Sequence, residues 1–151
     1  MQIINYLLAS IVSYLGLLVG IILVRVAPEE QKPGKKYFIL IKKIIFFLIV
    51  AFLLVYYKIN FIFSLLALLI IGIIIIGKKL EKSEFAYFLL GIVFFISSKM
   101  ADLFIIESVL VFLYGITAAS LLLNLKKKNY VELFIKNLWF FTPIISLYFI
   151  I

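Results

Sequence analysis

With 67% hydrophobic and only 15% charged residues among 151, the chain lies far outside the composition of soluble globular domains and reads as an integral membrane protein. Cysteine and histidine are both absent, which excludes disulfides, thiol redox chemistry, haem held by His and the usual zinc or copper ligands, so no metal and no cofactor is expected. The net charge of +8 would suit a nucleic-acid binder, but the lysines cluster in short loops between apolar runs, where membrane topology accounts for them; no nucleic-acid partner is expected.

A spanning helix needs about 20 apolar residues, and 3–26 supplies the first. No basic residue precedes it and no small-residue cleavage site follows, so it reads as a retained helix rather than a signal peptide. Ala9, Ser13, Gly16 and Gly20 fall on one face at helical spacing and let another backbone approach closely. Gly115 and Ala119 repeat the spacing further on. Both sets suit packing within the chain, and both also suit contact with a second copy.

Two prolines and a Pro-Gly pair among the charges of 27–36 predict a polar loop. The second helix then covers 37–57, with Lys42 and Lys43 near one end where their stems can snorkel. Lys58, Ile59 and Asn60 make a tight turn, and 61–76 forms the third helix. The apolar runs 44–57 and 61–76 can also be re-entrant half-spans, although the flanking lysines fit full crossings better. The fourth helix covers 85–98. Asp102 is placed to cap the fifth, 103–123. A basic loop around Lys126, Lys127 and Lys128 precedes a sixth helix, 131–151, which is expected to leave no tail.

This pattern predicts an all-α bundle of six transmembrane helices. Of the 15 Lys and Arg residues, all but Lys58 and Lys99 then fall on one side of the bilayer. The positive-inside rule makes that side cytoplasmic, giving a multi-pass protein of the cell membrane with both termini outside the cytoplasm. The basic loops recur about every fifty residues, which suggests three related helical hairpins, although regular helices with basic inner loops produce the same period.

Few charges lie outside those loops, and in hydrocarbon such residues point to function. Lys99 and Asp102 are three apart and would pair in a helical turn; alternatively Lys99 reaches Glu107 and the three form an outward-facing gate for protons or ions. Glu107 shares a helical stripe with Val111, Tyr114 and Ala118. It either reaches the headgroup layer near the helix end or faces an ion path through the protein. Pro143 removes the hydrogen bond to the Trp139 carbonyl, leaving either a simple kink, with Thr142 filling the gap, or a freed carbonyl able to hold a cation or water. Lys42, Lys43 and Lys136 enter helices from the cytoplasmic side, where anionic lipid headgroups would meet them.

A glycine-rich phosphate loop, a serine with a histidine partner and paired carboxylates with a nucleophile are all missing, so no catalytic residue is expected. The leading expectation is translocation of an ion, a proton or a small solute, by a homo-oligomer or with other membrane subunits. A structural or assembly subunit of a membrane complex comes second, and an enzyme acting on lipid headgroups third.

Overall fold

The computed structural model describes residues 3–76, 83–121 and 127–150. The basic residues Lys78, Lys79, Lys82 and Lys126, and the expected end of the fifth helix beyond 121, lie outside them. The described residues form helices and no strand: α1 (Ile3–Val26), α2 (Pro28–Tyr56), α3 (Phe61–Ile76), α4 (Ser83–Ser97), α5 (Ala101–Ser120), α6 (Lys127–Lys136), a 3₁₀ turn (Asn137–Phe140) and α7 (Phe141–Ile150). Three helices among them are long and apolar enough to cross a membrane: Ile3–Val26, Lys32–Tyr56 and Ala101–Ser120. Shorter apolar helices cover Phe61–Ile73, Glu84–Ser97 and Phe134–Leu147.

The bounds of α1 and α3 are those expected from hydropathy. The start of α2 is not. The polar loop predicted for 27–36 shrinks to Ala27, because Pro28 occupies the first helical turn, where its missing N–H is no loss, and Glu29 and Glu30 complement the positive end of the helix dipole. Good helix formers then carry the chain through Pro33, which stays inside the helix. At the other end, Lys58 takes a left-handed φ of 50° to reverse the chain. Asn60 accepts a hydrogen bond from the N–H of Ile62 at 3.1 Å, capping α3.

The α4–α5 turn differs from expectation in a way that matters for the site. Helix α5 begins at Ala101, with Met100 at its cap position and no side chain capping it. Asp102 therefore lies in the first turn rather than at the cap. The expected sixth helix is interrupted as well. Pro143 cannot donate to the Trp139 carbonyl, and the turn before α7 tightens into the 3₁₀ segment.

The tightest contact in the bundle joins α1 to α5. Gly16 backs onto the Phe112 carbonyl, and a carbon added to Gly115 would lie 2.7 Å from the Leu17 nitrogen. Gly20 meets Ile116 and Ala119 in the same way. Because Gly16 faces 112–115 and Gly20 faces 116–119, the two helices run in the same direction. Ser13, on the same face, is buried and turns its hydroxyl onto the Ala9 carbonyl of its own helix at 2.8 Å. The small residues are thus consumed by contact within the chain.

The C-terminal segment runs opposite to α1. Tyr14 donates to the Phe134 carbonyl, while Tyr6, further toward the N-terminus, donates to that of Ile144 at 3.4 Å. It runs parallel to α4, since Glu84 is near Lys136 whereas Gly91 backs onto Phe140 and Pro143. Helix α3 stands apart, packed chiefly against α2, with Phe61, Phe63, Leu66, Ile70 and Ile73 all exposed.

Candidate functional site

Starting α5 at Ala101 rather than 103 places Glu107 six residues in, about 9 Å along the axis at ~1.5 Å per residue. Its side chain is on the buried face with Phe104, Val111 and Tyr114, and it is 0% exposed. Neither carboxylate oxygen has a hydrogen-bond partner. One turn toward the start of α5, Phe104 packs against Phe94 at 4.8 Å and Tyr6 at 5.9 Å. With its side chain fully buried, Glu107 does not reach outward as the headgroup reading expected.

The other two members of the expected gate stay outside. Lys99 and Asp102 are both exposed at the α4–α5 turn. Among the described residues no ion pair joins Lys99 to Asp102 or to Glu107. Three charges adjacent in sequence are divided, two at the surface and one within.

Two turns past Glu107 on the same face of α5, Tyr114 enters a second polar layer. Its ring meets Tyr87 of α4 edge-on at 5.7 Å, and Tyr87 meets Tyr14 of α1 at 6.0 Å. The Tyr14 hydroxyl is satisfied by Phe134, but those of Tyr87 and Tyr114 have no partner. Asn137, the first residue of the 3₁₀ turn, is fully buried with both ends of its amide unpaired. Buried polar atoms are nearly always paired, so this concentration of exceptions marks the region.

Of the three lysines expected to meet lipid, Lys42 instead reaches inward. It is half-buried, and its Nζ lies 5.6 Å from the centroid of the Tyr114 ring, a cation–π contact. Lys43 is exposed. Lys136 is held at the surface by Glu132 one turn back at 2.8 Å and by Glu84 of α4 at 3.8 Å.

The helix break also acts through a residue other than those expected. Trp139 is 53% exposed, with its ring against Phe88, and Thr142 is exposed. The inward polar group of this segment is Asn137. Sequence reading passed over it and Tyr87: an uncharged amide inside the apolar run 131–151 was the available signal for the first, whereas Tyr87, inside the aromatic run Phe85-Ala-Tyr-Phe, gave none.

Chemically, Glu107 is a solitary acid. Among the described residues no group of three His, Cys, Asp or Glu side chains could hold a metal ion. Compared with protein-family models, with curated proteins and with solved structures, the chain matches none, and its functional reading rests on these two buried polar layers.

Proposed function

We propose that this is a six-helix protein of the cell membrane, both termini outside the cytoplasm, which moves protons or a proton-coupled small ion through its own helix bundle. The six crossings are supported by the alternation of basic loops and by the packing directions, since α1 and α5 run one way and α4 and the C-terminal segment the other. The function rests on one observation: a carboxylic acid fully enclosed in a membrane bundle, without a partner for either oxygen. Such a group is costly to keep, and a proton path is a use that requires it. Lys99 and Asp102 are left out of this path; Tyr114 remains in it.

Proton uptake into phospholipid vesicles, driven by a potassium diffusion potential and read with an enclosed pH dye, tests the reading. Glu107→Gln should reduce flux at least tenfold while the protein still folds and inserts. Unchanged flux in that variant overturns the proposal.

A second reading is favoured by α3. Its exposed aromatic and aliphatic side chains, and its packing chiefly against α2, suit a surface covered by another membrane subunit or a second copy as well as by lipid. Purification in mild detergent with a partner subunit, together with a silent Glu107→Gln, would favour an assembly role.

A further inference from the structure

Helix α2 is longer than the hydrocarbon it crosses. Its 29 residues measure about 43 Å at ~1.5 Å per residue, and about 41 Å along the bilayer normal at the usual ~20° tilt, against about 30 Å of hydrocarbon. One end is marked by the α2–α3 turn, where Lys58 and Asn60 are exposed. Counting back from Tyr56, about 20 residues fill the apolar layer, so the helix from Pro28 to about Lys36 stands among the headgroups.

Because this stretch is helical rather than a loop, its lysines have a fixed arrangement. At about 100° per residue, Lys32, Lys36 and Lys43 lie within ~40° of one another, and Lys35 flanks them. All four are exposed. Among the described residues no ion pair engages any of them. The acids of α2, Glu29 and Glu30, precede them in the exposed first turn, two against four lysines. Lys42 and Lys136 do not belong to this face, since the first turns to the Tyr114 ring and the second is held by Glu132 and Glu84.

Apolar side chains continue the same flank toward the bilayer centre. Ile39 is 37%, Leu40 55% and Phe47 38% exposed. We infer that the Lys32, Lys36 and Lys43 face of α2 binds the phosphate headgroup of an anionic phospholipid, with its acyl chains on Ile39, Leu40 and Phe47. Lys32 and Lys36 stand one turn apart at headgroup level, and Lys43 starts about 10 Å deeper, its stem long enough to carry the ammonium back toward the phosphate. A soluble acidic polymer would satisfy the lysines and leave the three apolar side chains uncovered, whereas a lipid covers both. The inference needs neither the proton path through Glu107 nor a choice of which side of the membrane is cytoplasmic.

The full-length protein carrying Leu40→Cys, the chain's only cysteine, is labelled there with a fluorophore and reconstituted into phosphatidylcholine vesicles. A fixed fraction of the lipid is replaced by phosphatidylglycerol or by phosphatidylcholine with brominated acyl chains, which quench the dye on contact. Phosphatidylglycerol should be favoured at this position by about fivefold, the attraction of roughly one lysine to an anionic lipid surface. The preference should fall to parity in the triple variant Lys32→Gln, Lys36→Gln, Lys43→Gln and be unchanged in Lys58→Gln, Lys99→Gln, whose exposed lysines lie in the α2–α3 and α4–α5 turns. If the triple variant does not insert, Lys36→Gln alone decides, with a smaller loss expected. Equal quenching by the two lipids, as a face covered by a second copy, another subunit or unselected lipid would give, overturns the site. So does a preference that survives the substitutions, or one abolished by millimolar inorganic phosphate at constant ionic strength, which would mark a site for soluble phosphate.

Discussion

Gly20 of α1 lies so close to Ile116 of α5 that a carbon added to it would sit 2.5 Å from the Ile116 carbonyl oxygen and 2.6 Å from the β-carbon of Ala119. Backbone stands in the way, so the helices rather than a flexible side chain would have to move. Gly20→Ala and Gly16→Ala should each destabilise the protein by about 1–3 kcal/mol, the usual cost of overpacking. Gly72 provides the control. Nothing lies within 4 Å of an added carbon there, and Gly72→Ala should be neutral or stabilising, by up to ~1 kcal/mol from helix propensity. Thermal unfolding in detergent measures all three.

Glu107 should show activity and stability pulling in opposite directions. Its enclosed, unpartnered oxygens cost stability, so Glu107→Leu should stabilise by about 1–3 kcal/mol while abolishing proton flux. Lys99→Gln should change stability by less than ~0.5 kcal/mol, as expected of an exposed residue, and the double variant should be additive, since no ion pair joins the two. A stability loss in Glu107→Gln and Lys99→Gln that the double variant relieves would show that the two residues pair.

Gly91 and Pro143 should be coupled. A carbon on Gly91 would meet the Phe140 carbonyl and approach the Pro143 ring to 2.6 Å. Gly91→Ala is therefore expected to destabilise, and Pro143→Ala, which removes that ring and restores the missing donor, should relieve part of the loss. A coupling of about 1 kcal/mol in the double-mutant cycle is the expected result.

Topology is accessible by single-cysteine labelling, because the chain has no cysteine of its own. In intact cells a cysteine at Lys58 should react with an impermeant thiol reagent and one at Lys79 should not. Tags at either terminus should be accessible from outside. Termini on opposite sides of the membrane would break the six-crossing count, and both termini in the cytoplasm would reverse the orientation.

Much of the fold follows from local sequence. Hydropathy sets α1 and α3, because a long apolar run has one stable form in hydrocarbon. It misplaces the start of α2, because Pro and Gly read as loop signals, whereas Pro28 in a first turn followed by acids extends the helix. For the site, intramembrane charge singled out Glu107, but its complete burial is a property of the assembled bundle rather than of α5 alone. Lys42 had the same ambiguity: snorkelling outward and reaching inward begin from the same position. Tyr87 and Asn137 carry no charge and break no periodicity, so their isolation from partners emerges only when α4 meets the 3₁₀ turn.

The seam between α1 and α5 also sets a constraint on biosynthesis. Gly16 and Gly115 are separated by most of the chain, so α1 enters the bilayer well before the surface it fits has been translated. Until then its glycine groove faces lipid or whatever helix emerges next, and assembly waits on a late, long-range encounter of the kind that slows folding and invites mispairing. Ribosome-stalled chains ending just before α5 should therefore hold α1 inserted but protease-sensitive at its flanks, with protection arriving only once α5 is in the membrane.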